Sequence, residues 1–169
     1  MEQIEIKLRA MEPEDVDFVM ECENDPQSSK WSDYTAPFSR HQLLTYALSY
    51  EADPFKAGQI RLIITDLYNS KLGILDLYDV SEKDRKAYLG ICIHPDFRHR
   101  GYAAAAIKKA KDFSKEQLGL LHLVAKVSTQ NVIASQLFIN SGFSLLTILP
   151  SWHRIGQDFH DFNLFCVSI

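Results

Sequence analysis

Residues 88–94 read YLGICIH, an apolar run stopped by Pro95, and after a short basic loop the chain enters YAAAAIKKAKDFSKEQ at Gly101. The second stretch is rich in alanine and lysine and contains neither proline nor glycine, so a helix is predicted over 102–117. The run before it is too short for a buried helix and suits a strand. A strand that turns directly into a long helix with a narrow, alanine-lined face must lay that helix back on a sheet. The four alanines 103–106 let the two approach closely. This pairing places the chain in the mixed α/β class.

The rest of the chain fills in the same class. Ile4, Ile6 and Leu8 alternate with Glu5, Lys7 and Arg9, a half-buried strand. Pro13 leads into EDVDFVMECEN, with apolar residues at helical spacing and acids in the first turn, where the macrodipole favours them. Residues 25–38 read as loop. Ser39 with Gln42 is a capping box opening a second helix. QIRLIITD and KLGILDLYD flank a turn at 68–70 and form an antiparallel hairpin. After Gly119, LLHLVAKV is a further strand, Asn131 starts a helix that Gly142 closes, and 144–152 and 159–167 are two last strands around a turn at 155–158. The expected order is β-α-α-β-β-β-α-β-α-β-β, about seven strands in one sheet, mixed and mainly antiparallel, with helices on both faces. No repeat or linker interrupts 1–169, which is read as a single domain.

Composition narrows the function. Eighteen basic and 22 acidic residues give a net charge of −4, which argues against dedicated nucleic-acid binding. No apolar run approaches the roughly 20 residues of a membrane span, and the acidic, alternating N-terminus is unlike a targeting peptide. Three scattered cysteines, Cys22, Cys92 and Cys166, form no disulfide framework and no zinc pattern, so a reducing, cytoplasmic setting is expected. His153 and His160 are isolated, and no metal site is implied.

The chemistry concentrates in 91–106, ICIHPDFRHRGYAAAA. Unpaired N–H groups at a helix start, a glycine without a Cβ, and Arg98 and Arg100 nearby make an anion site. A plain strand–turn–helix with solvated arginines has the same sequence, and helix-end physics alone leaves both readings open.

Two motifs then bear on the choice. Arg98-His99-Arg100-Gly101-Tyr102-Ala103 resembles the Arg/Gln-x-x-Gly-x-Gly/Ala loop of the GNAT superfamily of CoA-dependent N-acyltransferases. Asn131, Ala134, Leu137, Gly142 and Phe143 match the spacing of that superfamily's second segment. The element order also corresponds from first strand to last, and the strands around Asp76 and Asp79 resemble the ribosomal-protein and polyamine acetyltransferase branch. The resemblance implies acetyl-CoA as co-substrate. Its pantetheine arm would pair with Ile91-Cys92-Ile93, and its pyrophosphate would lie on the amides of His99, Arg100, Gly101, Tyr102, Ala103 and Ala104. Asn131 would contact the arm or the phosphate region, Phe138 would sit beside the sulfur, and the N–H near Ile93 would hold the oxyanion of the tetrahedral species.

The chain departs from the family at two positions. Phe138 stands where a tyrosine usually protonates the thiolate, and Lys126 stands where some relatives carry a glutamate base. Neutralising an amine of pKa ~10.4 at pH 7 costs about 4.6 kcal/mol, whereas a thiol of pKa ~8.5 needs only about 2 kcal/mol, so losing the base matters more than losing the acid. Asp33, Asp76 and Asp79 are the candidate bases and would together make an acidic pocket for a cationic amine. The implied function is acetyl transfer to a primary amine, on a small molecule such as a polyamine or on a protein N-terminus, by direct attack in a ternary complex. A CoA-binding sensor or scaffold without catalysis is the alternative, and a homodimer is compatible with either.

Overall fold

The computed structural model describes residues 4–32, 34, 36–49 and 51–169. Its strands are β1 (Lys7–Ala10), β2 (Gln59–Thr65), β3 (Lys71–Ser81), β4 (Lys86–Ile93), β5 (His122–Ser128), β6 (Ser144–Ile155) and β7 (Asp158–Ser168). They form one sheet in the order β1-β2-β3-β4-β5-β7-β6. Every neighbouring pair is antiparallel except β4 and β5. The mixed, mainly antiparallel sheet expected from the sequence is therefore the architecture.

The helices are α1 (Val16–Asn24), α2 (Pro26–Ser29), α3 (Arg40–Leu48), α4 (Pro54–Ala57), α5 (Tyr102–Glu116) and α6 (Val132–Asn140). Strand alternation separates two cores. Leu75, Leu77, Leu89, Leu123, Ala125 and Phe165 face α5 and α6, whose Ile107, Ala110 and Phe138 meet them. Ile63 and Ile74 face the other way, toward Val16, Val19 and Cys22 of α1 and its preceding turn and Leu43 of α3. Helices thus cover both faces.

Two elements were not expected. Residues 25–38 contain α2, and α4 precedes β2. Both are single turns that begin Asp-Pro, with the aspartate side chain accepting a backbone N–H, from Ser28 in α2 and from Phe55 in α4. A proline at the first helical position after a capping aspartate is a start signal too brief for periodicity to register. The first strand also begins at Lys7 rather than Ile4, because Lys7–Ala10 is the stretch paired with β2.

The junction of β4 and β5 positions everything else. They share register at three pairs, Lys86↔His122, Ala87↔Leu123 and Tyr88↔Val124. Beyond Tyr88, β4 continues along β3 as far as Ile93 opposite Gly73, while β5 continues along β7. Gly73 holds β4 tightly against β3: a Cβ there would lie 2.4 Å from the Cys92 carbonyl oxygen. The sheet consequently opens between β4 and β5 at the end that feeds α5.

A buried carboxylate fixes the first strand to this frame. Asp15, 2% exposed, accepts from Arg9 Nη1 at 2.6 Å and Nη2 at 2.9 Å, from the Glu12 N–H at 2.9 Å, and pairs with Lys71 Nζ at 3.0 Å. Burial alone would push the Asp15 carboxyl up, but the hydrogen bonds from Arg9, Glu12 and Lys71 outweigh it and hold the group well below the ordinary aspartate range. A depressed acid adds stability that is present above its unfolded pKa and lost as pH falls through the folded one. Asp15→Asn should therefore lower unfolding stability by about 3 kcal/mol at pH 7. The gap between variant and parent should narrow below about pH 4. Urea denaturation across pH 3–8 checks this, and a difference that stays constant over that range contradicts it.

Candidate active site

The opening continues as a cleft of about 1200 Å³ that runs through the sheet, bounded by β4 and the start of α5, by β5 and α6, and by α1 and α2 on the far face. Backbone parity decides what β4 offers to it. The His94 N–H donates to the Leu72 carbonyl, so the flanking pair Ile93↔Gly73 is a non-hydrogen-bonded one. Ile93, and with it Ile91, turn their N–H and C=O groups away from β3 and toward the gap. Cys92 lies between them with its backbone directed at Ile74 of β3. Of the three residues expected to pair with an extended ligand, Ile91 and Ile93 are placed to do so. Cys92 is not, because its backbone groups belong to the β3–β4 ladder.

Below the gap, Gly101 takes φ +82° and His99 takes φ +60°, left-handed conformations that turn the chain into α5. The first helical bond joins the Ala105 N–H to the Gly101 carbonyl, so the N–H groups of Tyr102, Ala103 and Ala104 lack helical partners. All three residues line the cleft, as do His99 and Gly101. Past Tyr102, the alanines at 103 and 104 add little bulk to this end of the helix.

The two arginines do something other than expected. Arg98 donates from Nε to the Ile93 carbonyl at 2.9 Å, from Nη2 to Asp25 at 2.6 Å and to Ser28 Oγ at 2.8 Å, and from Nη1 to Gln27 at 3.0 Å. Its charge is engaged, and it straps α2 to the end of β4 rather than standing ready for a phosphate. Burial would raise the Asp25 carboxyl, but Arg98 and Ser28 outweigh it and lower it. Arg100 is exposed beside the Phe97 ring, 5.7 Å from its centroid, and is not among the described residues lining the cleft.

On the other bank, Asn131 caps α6 by accepting the Ala134 N–H at 3.1 Å, which leaves its side-chain NH₂ for the cleft. Phe138 is 4% exposed, edge-on to Phe143 at 5.0 Å and stacked with Phe165 at 6.3 Å. Its ring is part of the core and part of the cleft wall.

The far face carries the acidic residues. Asp76 lines the cleft, yet both its oxygens are taken by Arg61, from Nε at 2.7 Å and from Nη2 at 2.8 Å. Arg61 Nη2 also donates to Glu23 Oε1. Asp79 is displaced from this group. A bulge follows Tyr78, Asp79 sits there exposed with φ +49°, and it is not among the described residues lining the cleft. Three positions apart on one strand, Asp76 and Asp79 fall on opposite faces under strict alternation, and the bulge leaves Asp79 outside the cleft. Asp33 lies outside the described residues.

Sequence reasoning missed Glu23 and Arg61. Glu23 belongs to the apolar spacing of its helix and Arg61 sits within a strand otherwise destined for the core; a charged residue on an inward-facing position was the available signal. Lys126 also faces this side, with its ammonium 5.3 Å from the Tyr88 centroid and 5.9 Å from that of Tyr78. Cys92 donates to Ser28 Oγ at 3.4 Å and lies beside Cys22. The hydrogen bonds with Cys22 and Ser28 lower the Cys92 thiol against burial, which opposes them. His94 stacks on Phe18 at 5.5 Å and accepts the Asp96 N–H, a strand-end role.

This division of labour is testable by binding. Gly101→Val forces a β-branched residue into left-handed backbone and should weaken CoA at least tenfold. Arg98→Ala should weaken CoA less than tenfold while lowering stability by about 2 kcal/mol, since it removes charge-assisted hydrogen bonds. Calorimetric titration and urea unfolding separate the two. Loss of CoA affinity greater in Arg98→Ala than in Gly101→Val contradicts the assignment.

The Acetyltransferase (GNAT) domain family matches residues 5–144. Spermidine N(1)-acetyltransferase of Escherichia coli K12 is 25% identical over 140 residues, 83% of this chain and 73% of that protein. The Vibrio cholerae protein of the same name is 25% identical over 140 residues, covering 82% and 79%. Among solved structures, Vibrio cholerae spermidine N-acetyltransferase in complex with CoA and spermine superposes with a TM-score of 0.87 at 22% identity, over 96% of this chain and 95% of that one. A dodecameric structure of that enzyme gives 0.82 at 23%, over 96% and 93%. With a family match over most of its length, the chain belongs to the GNAT acetyltransferases, which transfer an acetyl group from acetyl-CoA to an amine.

Proposed function

We propose that residues 1–169 act as one domain that acetylates a primary amine of the polyamine class within a ternary complex. The observation that carries this reading is the broken β4–β5 ladder, which joins an edge of exposed amides on one side of the sheet to a carboxylate-bearing cleft on the other. Acetyl-CoA supplies the activated acetyl group. Ile91 offers its N–H and C=O and Ile93 its N–H to an extended pantetheine arm, the Ile93 carbonyl being held by Arg98, and the amides of 102–104 suit its pyrophosphate. The Ile93 N–H, turned into the gap, suits the carbonyl oxygen as it gains charge.

The polyamine assignment draws support from the spermidine acetyltransferases of Escherichia coli and Vibrio cholerae and from the acceptor face. Trp31, Tyr46, Trp152 and Phe162 line that side with Glu23 and Asp76, and aromatic faces and carboxylates both attract ammonium groups. A protein N-terminus remains the alternative acceptor, distinguished by the same assay. A cytoplasmic location suits the free cysteines and the lack, among the described residues, of any helix able to cross a membrane. Self-association suits the exposed Leu145, Leu146 and Ile148 of the edge strand β6 and has a counterpart in the dodecameric neighbour.

Thiol release from acetyl-CoA, followed with spermidine, spermine, a monoamine and a short peptide, tests the reading. Turnover is expected, fastest with a polyamine; CoA binding without turnover of any amine contradicts it and favours a sensor. Because a free CoA thiolate lies only about 2 kcal/mol above its thiol at neutral pH, an acid is not essential, and Phe138→Tyr should leave kcat unchanged or raise it. A loss above tenfold in that variant contradicts the role given to the phenyl ring.

A further inference from the structure

We propose that Glu23 is the base that takes the proton from the acceptor amine, an inference that rests on the acetyl-transfer reading above. Two described carboxylates face the cleft on the acceptor side, and the geometry separates their roles. Asp76 is bound by Arg61 through both oxygens, so a proton arriving there must displace a bidentate ion pair. Glu23 is bound through Oε1 alone, and among the described residues Oε2 takes no hydrogen bond. Its side chain is 12% exposed, and that of Arg61 10%. The α1 helix holds the glutamate by packing its neighbours Val19 and Cys22 against Ile63 and Ile74. The site therefore presents one oriented carboxylate oxygen with a vacant lone pair.

Its surroundings favour the proton. Burial raises the Glu23 carboxyl above the ordinary glutamate range, Asp76 adds to the rise, and Arg61 only partly offsets it. The other titratable or charged described groups that line the cleft near it are Cys92 of β4, Tyr78 of β3, Tyr46 of α3, Lys30 just after α2, Tyr34 and Arg98, with Lys126 of β5 across the cleft.

Glu23 Oε2 takes one proton from the ammonium, and the freed nitrogen lone pair forms the C–N bond to the acetyl carbon. The C–S bond breaks with its electron pair on sulfur. The second nitrogen proton ends on that thiolate, and Glu23 returns its own proton to solvent. The sum is R–NH₃⁺ plus acetyl-CoA giving the N-acetyl amine, free CoA thiol and H⁺.

The test follows kcat from pH 6 to 9.5 with acetyl-CoA and spermidine. Glu23→Gln keeps an oxygen for Arg61 and should fold; its kcat should fall about 10²–10⁴-fold at pH 7 and recover toward the parent at high pH, where free amine is abundant, with CoA affinity unchanged. Added formate should restore part of the rate to Glu23→Ala. A Glu23→Gln profile matching the parent, or the pH-dependent defect appearing in Asp76→Asn instead, overturns the proposal while the acetyl-transfer reading stands. A parent inactive on every amine overturns both. Carboxyl-carbon NMR of the parent, assigned with Glu23→Gln, adds a readout independent of turnover: a Glu23 midpoint raised above that of a solvent-exposed glutamate is expected, and one at or below it overturns the proposal.

Discussion

A β-sheet is a set of hydrogen-bond ladders, and breaking one leaves donors and acceptors that something must satisfy. Here the break is confined to β4 and β5 after three paired residues, and the remainder of the molecule is arranged about it. Contact of Gly73 with β4 keeps that strand on β3. The β7 strand keeps β5 on the opposite bank. The helices that follow each of these strands, α5 and α6, start beside the gap, so their termini and the strand edges converge on one cleft. A protein that closed this ladder would have a more regular sheet and no passage between its faces.

Electrostatics reinforce the frame before they serve any ligand. Lys71 on Asp15, Arg98 on Asp25 and Arg61 on Glu23 each tie elements far apart in sequence, while Arg9 adds to Asp15 and Arg61 to Asp76 from nearer by. Such partly buried pairs are sensitive to losing one partner. In consequence the proposed donor side would rely on backbone amides rather than on free guanidinium groups, and the proposed acceptor side has its single-bonded carboxylate, Glu23, next to a saturated one.

Much of this was legible in the chain itself. The run from the strand through Arg98-His99-Arg100-Gly101 into an alanine-rich helix, and the spacing of Asn131 to Phe143, carried the fold class and pointed to residues that line one cleft. Apolar alternation recovered the seven strands. What was not legible depended on partners distant in sequence. The strand interior of 61 gave no hint that its arginine would hold Glu23 and Asp76 together, because that contact joins α1, β2 and β3. Arg98 looked like a phosphate ligand because its four acceptors, from Ile93 to α2, appear only in three dimensions. Asp79 stands three residues from Asp76, the wrong parity to share its face of the strand, and sits at a bulge outside the cleft; the Asp-Pro turns α2 and α4 were too short to show a period.

The central claim is that the unpaired edge of β4 is the donor site. Residue-resolved amide hydrogen exchange, with and without CoA, tests it most directly. In the free protein the amides of Ile91 and Ile93 should exchange faster than those of Gly90 and Cys92, which belong to the β3 ladder, and CoA should slow Ile91, Ile93 and residues 102–104 selectively. Equal protection along β4 in the free protein, or CoA-dependent slowing centred away from this edge, would contradict the account.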